Sequence, residues 1–176
     1  MERRHVLLSL TGAAAPLLLH NAGTFGQESL QNNANPLDYP SYAAQTLQIG
    51  RMAKETSLIA LKNTNNAHVR RFAKLEIAEQ TAVAQSLTSN FEPSPVALTD
   101  EQQQIVASLE GVSDIAFDEA YVRAQIQGHR QLFNIQQEFL AGNADPANDY
   151  VHIALIVRTV IQAHMLILGG LQITSP

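Results

Sequence analysis

Within the segment FAKLEIAEQ, residues 72–80, carboxylates stand where a helix should present apolar side chains. Val69, Phe72, Ala73, Val83 and Leu87 recur at helical spacing and define a core-facing stripe, with Glu76 in its middle and Glu79 beside it. A bare carboxylate inside a bundle costs several kcal/mol of desolvation, so it must be protonated, paired or bound to a cation. Partners of the right type lie far along the chain. Gln125 and His129 are four residues apart on one helical face. His164 is set among Val157, Val160, Ile161 and Leu168, the most apolar face of the last helix. Glu55 sits at the edge of a stripe made by Ile49, Met52, Thr56 and Ile59.

Carboxylates and neutral imidazoles converging from several helices form a ligand set for iron or manganese. The expected ligands are Glu55, Glu76, Glu79, His129 and His164, with Tyr121, Gln125 and Asp118 supporting them. A metal-free alternative uses the same residues: Glu76 as a protonated acid bonded to His129, His164 or Tyr121 in a buried polar network. The paired Glu-x-x-His signature of di-iron bundles is absent, because Glu79 follows Glu76 at i+3 and Ile161 precedes His164 at i−3.

These side chains need elements to position them. Ser41 is read as the N-cap of a first long helix over 41–62, and NTNN at 63–66 as a tight turn into a second over 67–89. Two prolines interrupt the pattern in NFEPSPVALT, and Thr99 with Gln102 then forms a capping box for a shorter helix ending at Gly111. Ser113 caps a third long helix that Gly142 closes, and Asp145-Pro146 reads as the start of the last, reaching Leu171. No segment reads as a strand. The fold class is therefore all-α: four long helices as two hairpins, joined by a long crossover that contains a short helix, the topology of ferritin-like bundles. Counting residues from the turns sets Glu55 opposite Ala73, Glu76 level with Gln125, and His129 within a turn of His164. Asp118, three turns before His129, lies ~16 Å away along the axis.

Length and composition agree with one domain. The chain has 176 residues, 45% apolar and 15% charged, with no cysteine. A formal net charge of −5 argues against nucleic-acid binding, which needs a basic surface. At the N-terminus, Arg3 and Arg4 precede an uncharged apolar run over 6–19 and then small residues, the layout of an export signal. The expected organisation is a signal over 1–26, a flexible spacer over 27–40 and a helical domain over 41–172. The adjacent arginines fit either the general secretory route or the twin-arginine route, and both lead out of the bacterial cytoplasm, so the expected location is the periplasm or otherwise outside the cell. The apolar run is short for a bilayer span, so no integral membrane span is expected after cleavage. Oligomeric state and protein partners are not legible.

FAKLEIAEQ, FDEAYVRAQIQGH and IQAHMLIL together resemble the exported bacterial family called domain of unknown function 4142 (DUF4142), over roughly residues 40–171. The resemblance implies a ferritin-like helical bundle with no established activity, although members are often labelled outer-membrane proteins; no barrel alternation occurs here. Its middle motif matches Phe117, Asp118, Tyr121, Gln125 and His129. Many members carry an Asp-His pair where this chain has Glu79-Gln80. Two functions follow: a periplasmic protein binding iron or manganese, or a non-enzymatic envelope stress or interaction module. Hydrolase motifs are absent, with no Gly-x-Ser-x-Gly and no His-Glu-x-x-His.

Overall fold

Helical periodicity and capping chemistry account for every regular element found among the described residues, which are 36–89 and 96–171 of a computed structural model. These elements are α1 (Tyr39–Asn63), α2 (Ala67–Thr88), α3 (Asp100–Glu110), α4 (Asp114–Gly142) and α5 (Asp149–Gly170). The expected export signal, and the expected spacer as far as residue 35, lie outside the described residues.

The helix starts differ from expectation at two places. Asp38, not Ser41, caps α1: its Oδ1 accepts the Ser41 N–H at 2.9 Å. Pro40 is welcome in the first turn because its missing N–H would be unpaired there anyway. The helical domain thus begins inside the stretch read as spacer. Similarly, α5 is capped by Asn148, whose side chain accepts the Tyr150 N–H at 2.9 Å, rather than by Asp145. Asp145 instead closes a preceding turn, accepting from Asn148 N–H through its carbonyl and from Ala147 N–H through its side chain. The capping box of α3 forms as read, with Thr99 and Gln102 bonded reciprocally. At α4 the residue Ser113 is the N-cap without a side-chain cap bond, and Asp114 takes a positive φ of 58°.

Helix α1 packs on α2 and α4, α4 packs on α5, and α5 meets α2 over a shorter stretch, so the four long helices enclose one interior. Helix α3 lies against α1 and α4. The start of its connection is held to α1, where Gln48 and Arg51 donate to the carbonyls of Ala97 and Val96. Leu98 belongs to the core cluster around Tyr42 and Leu87, whereas Leu109 belongs to that around Val69 and Phe117. Helix α3 therefore runs from one core cluster to the other. Helix α5 is long and apolar enough to cross a membrane by length and composition, with a window of mean hydropathy 1.8. Val151, Ala154, Val157, Ile161, His164 and Leu168 on its inner side are nevertheless buried in the bundle.

The interior is layered. One apolar cluster joins Met52, Leu132, Ile161 and Leu87; the other joins Ala60, Phe72, Tyr121 and Leu168. Between them each long helix contributes buried polar residues: Thr56 and Ser57, Glu76, Gln125 and His129, and His164. Oil above and below this layer removes water from it, which strengthens every electrostatic interaction inside.

Candidate functional site

Three residues from α2, α4 and α5 meet in that layer. Glu76, His129 and His164 are 0%, 1% and 3% exposed. The Glu76 Oε2 lies 3.3 Å from His129 Nε2 and 3.0 Å from His164 Nδ1, and the two nitrogens are 2.9 Å apart. Each ligand-type atom is aimed by its neighbours. His129 Nδ1 is 2.7 Å from the Gln125 carbonyl, an acceptor that requires a proton on Nδ1 and leaves Nε2 as the bare nitrogen of the neutral ring. Glu76 Oε1 accepts from Gln80 Nε2 at 2.9 Å, one turn along α2, so Oε2 is the oxygen left for the imidazoles. His164 Nε2 lies 2.7 Å from Glu79 Oε2, a carboxylate behind the ring. That oxygen sits off the N–H direction, so neither atom gains an aligned hydrogen bond.

Phe72 walls the cluster, its ring centroid 5.2 Å from that of His164 and 6.0 Å from that of His129. Gln125 is fixed to α1, donating through Nε2 to Ala53 O, Thr56 Oγ1 and Ser57 Oγ. Tyr121 and Ser57 share a 2.8 Å bond beneath it.

Two neutral imidazole lone pairs and a carboxylate oxygen directed at one point repel one another unless a proton or a cation lies between them. The protonation energetics reflect this. Burial alone would raise the Glu76 carboxyl, but hydrogen bonding and charge from His129 and His164 outweigh it and bring the group down to about 2. Burial alone would lower His129, yet the Glu76 carboxylate and the Gln125 carbonyl outweigh it and raise this imidazole. Glu79 is raised by burial, with the Glu76 charge adding and His164 opposing. Burial also pushes the Tyr121 phenol far up, so it stays a neutral hydroxyl.

The triangle of ligand atoms also fits a metal ion. Bonds of about 2.0–2.2 Å place adjacent ligand atoms of an octahedral or tetrahedral shell roughly 2.8–3.6 Å apart. The three edges observed, 2.9, 3.0 and 3.3 Å, fall in that range. Two imidazoles and one carboxylate on one face are the donor set of non-haem iron sites with open positions. Among the described residues, the buried side-chain polar atoms left without a hydrogen-bond partner are Glu76 Oε2, Glu79 Oε2, Gln125 Oε1 and His164 Nε2. All four belong to this cluster or border it.

Of the residues picked from sequence, Glu76, Glu79, His129 and His164 are brought together and Gln125 supports them. Glu55 is not. It pairs with Arg51 at 2.8 Å on the outside of α1, its side chain 34% exposed. A residue turns by about 100° along a helix, so Thr56 takes the inward direction and Glu55 the edge. Asp118 is buried but works elsewhere: its Oδ1 accepts from Thr64 Oγ1 and locks α4 to the α1–α2 turn. Tyr121 touches Ser57 rather than a ligand of the triangle. Sequence reasoning missed the role of Gln80, although its i+4 spacing from Glu76 was a usable signal.

No curated protein matches the chain. The crystal structure of a DUF305 protein from Streptomyces coelicolor is similar in fold, with a TM-score of 0.62, 13% identity, and coverage of 74% of this chain and 88% of that one. At that identity the likeness shows an all-helical fold and nothing about activity. The family described as Domain of unknown function (DUF4142) matches residues 26–164, and the chain belongs to that family.

Proposed function

We propose that this protein is an exported, periplasmic, ferritin-like four-helix bundle that holds one iron or manganese ion. Glu76 Oε2, His129 Nε2 and His164 Nδ1 are the ligands, and Glu79 places a second carboxylate 2.7 Å behind the His164 ring. The observation that carries the reading is the convergence of one carboxylate oxygen and two imidazole nitrogens within 3.3 Å of one another at a fully buried point. Backbone and side-chain partners hold the bare atoms of Glu76 and His129 inward, as outer-shell groups do at metal sites. Iron or manganese would supply Lewis acidity and one-electron redox capacity there. The chain's own residues supply charge balance, a dry shell and a fixed geometry. Export rests on the Arg3-Arg4 and apolar run at the N-terminus.

The test is metal analysis of protein purified from the periplasm, followed by titration with ferrous iron and with manganese under anaerobic conditions. About one equivalent bound, lost in Glu76→Gln and in His129→Gln, supports the proposal. Less than about a tenth of an equivalent of any transition metal, with no uptake on titration, refutes it.

A metal-free network is the second reading, because the same distances allow an imidazolium to bridge Glu76 and the other ring. It makes the protein a non-enzymatic envelope module, with a thermal melt indifferent to chelator and to added metal.

A further inference from the structure

Behind the triangle, the seam between α2 and α5 opens into a groove of about 250 Å³. Its walls are apolar, built by Val83 from α2 and by Ile153, Ile156, Val157 and Val160 from α5. Four polar side chains line it, Glu79, Gln80, Ser86 and His164, and Glu79 is the acid among them. His164 is 3% exposed, yet its Nε2 has no aligned hydrogen-bond partner. Glu79 Oε2 is likewise buried and without an aligned donor, and among the described residues no lysine or arginine pairs with this carboxylate.

A largely apolar cleft with a few converging polar atoms is the usual form of a small-molecule site, and this one is smaller than the roughly 300–1,000 Å³ typical for drug-sized ligands. Glu79 is the one carboxyl among the groove's lining residues, and no lysine or arginine is among them. Its matching ligand has a cationic head and an aliphatic body.

We propose that the α2–α5 groove binds a small aliphatic ammonium ion, its head group on the Glu79 carboxylate and its hydrocarbon tail along Val83, Ile156 and Val160. A neutral head leaves the carboxylate unmatched, and a carboxylate head is repelled by it. The tail contributes by leaving water, and about four-fold in affinity is expected for each methylene that the groove encloses. This site does not require an ion in the triangle, since Glu79 is offered from the side of His164 away from Glu76.

The experiment is calorimetric titration of the full chain with n-hexylammonium, n-hexanol and n-hexanoate at pH 8, repeated with butyl- and pentylammonium. Hexylammonium should bind at least ten-fold more tightly than hexanol, with hexanoate weakest, and affinity should climb with tail length. Glu79→Gln should erase the preference for ammonium over alcohol while leaving hexanol binding in place. Ala82→Phe, at an exposed position on the groove wall, should weaken all ligands by more than ten-fold with the fold intact by circular dichroism. No binding of hexylammonium up to millimolar concentration, equal binding of hexanol and hexylammonium, or binding untouched by either substitution overturns the proposal. Because these titrations are done with chelator present, a failure here leaves the metal measurement unaffected, and the reverse also holds.

Discussion

Replacing Glu76 by leucine isolates the electrostatics of the polar layer. In the metal-free protein the change deletes the acceptor that faces both imidazoles, 3.3 and 3.0 Å away, and strands the Gln80 amide that donated to Oε1. His129 and His164 are then left 2.9 Å apart in a dry interior, with one proton at most between them. Removing one partner of a buried charged pair costs about 3–5 kcal/mol. For a domain of this size each kcal/mol moves the melting temperature by roughly 3–4 °C, so a fall of about 10–18 °C is expected. Glu76→Leu combined with His129→Leu removes two of the triangle's three polar groups, leaves His164 beside Glu79 and fills similar volumes, and should recover at least half of that loss. Added metal discriminates further. At a hundredfold excess over its Kd an ion stabilises the wild type by about 2.7 kcal/mol, or roughly 8–11 °C, and neither variant should respond. Differential scanning calorimetry at pH 7, with chelator and then with ferrous iron or manganese, reads all of this. A single Glu76→Leu variant within about 1 kcal/mol of wild type in chelator would show that the layer is not electrostatically coupled as described.

Stability of the metal-free protein should depend on pH in two windows. Glu76 is depressed, so its contribution is present above the ordinary carboxyl value of 4.5 and is lost as pH falls from there through about 2. His129 is raised, so its contribution is complete below 6.5 and fades as pH climbs through the elevated folded value; Glu79, also raised, acts in the same sense from 4.5 upward. Urea denaturation in chelator should therefore show stability dropping above pH 6.5, and a flat or rising profile to pH 9 would contradict the assignment. Thr64→Val should cost about 1–3 kcal/mol by leaving the buried Asp118 carboxylate without its donor, yet leave metal stoichiometry unchanged. Glu55→Gln, which breaks a half-exposed pair with Arg51, should shift stability by less than about 1 kcal/mol and leave metal affinity alone; a tenfold loss of affinity would return Glu55 to the ligand set.

The helices, the crossover and the odd placement of Glu76 were all readable from the chain. Helix formation and capping depend on neighbours within four residues, and amphipathic stripes repeat within a single element. Hence the ends of α2 and α3 fall where the capping residues put them. The starts of α1 and α5 moved because two residues in each region, Asp38 and Ser41 or Asp145 and Asn148, are equally good caps. Propensity does not choose between them; the packing of Tyr39 against Phe139 and Tyr150 favours the earlier start of α1.

Sequence alone determined that this is an all-helical protein with carboxylates and imidazoles on inward faces, and that such groups need partners. Tertiary structure alone decided which of them meet. A rotation of one residue sends Thr56 inward and Glu55 to Arg51, and the packing of the α1–α2 turn on α4 gives Asp118, already three turns from His129 by spacing, its partner Thr64. The physical reason is one of scale: periodicity locates a side chain to within a helical turn of about 5.4 Å, whereas an ion or a shared proton requires atoms placed to within a few tenths of an ångström. Only the packing of α2, α4 and α5 supplies that precision.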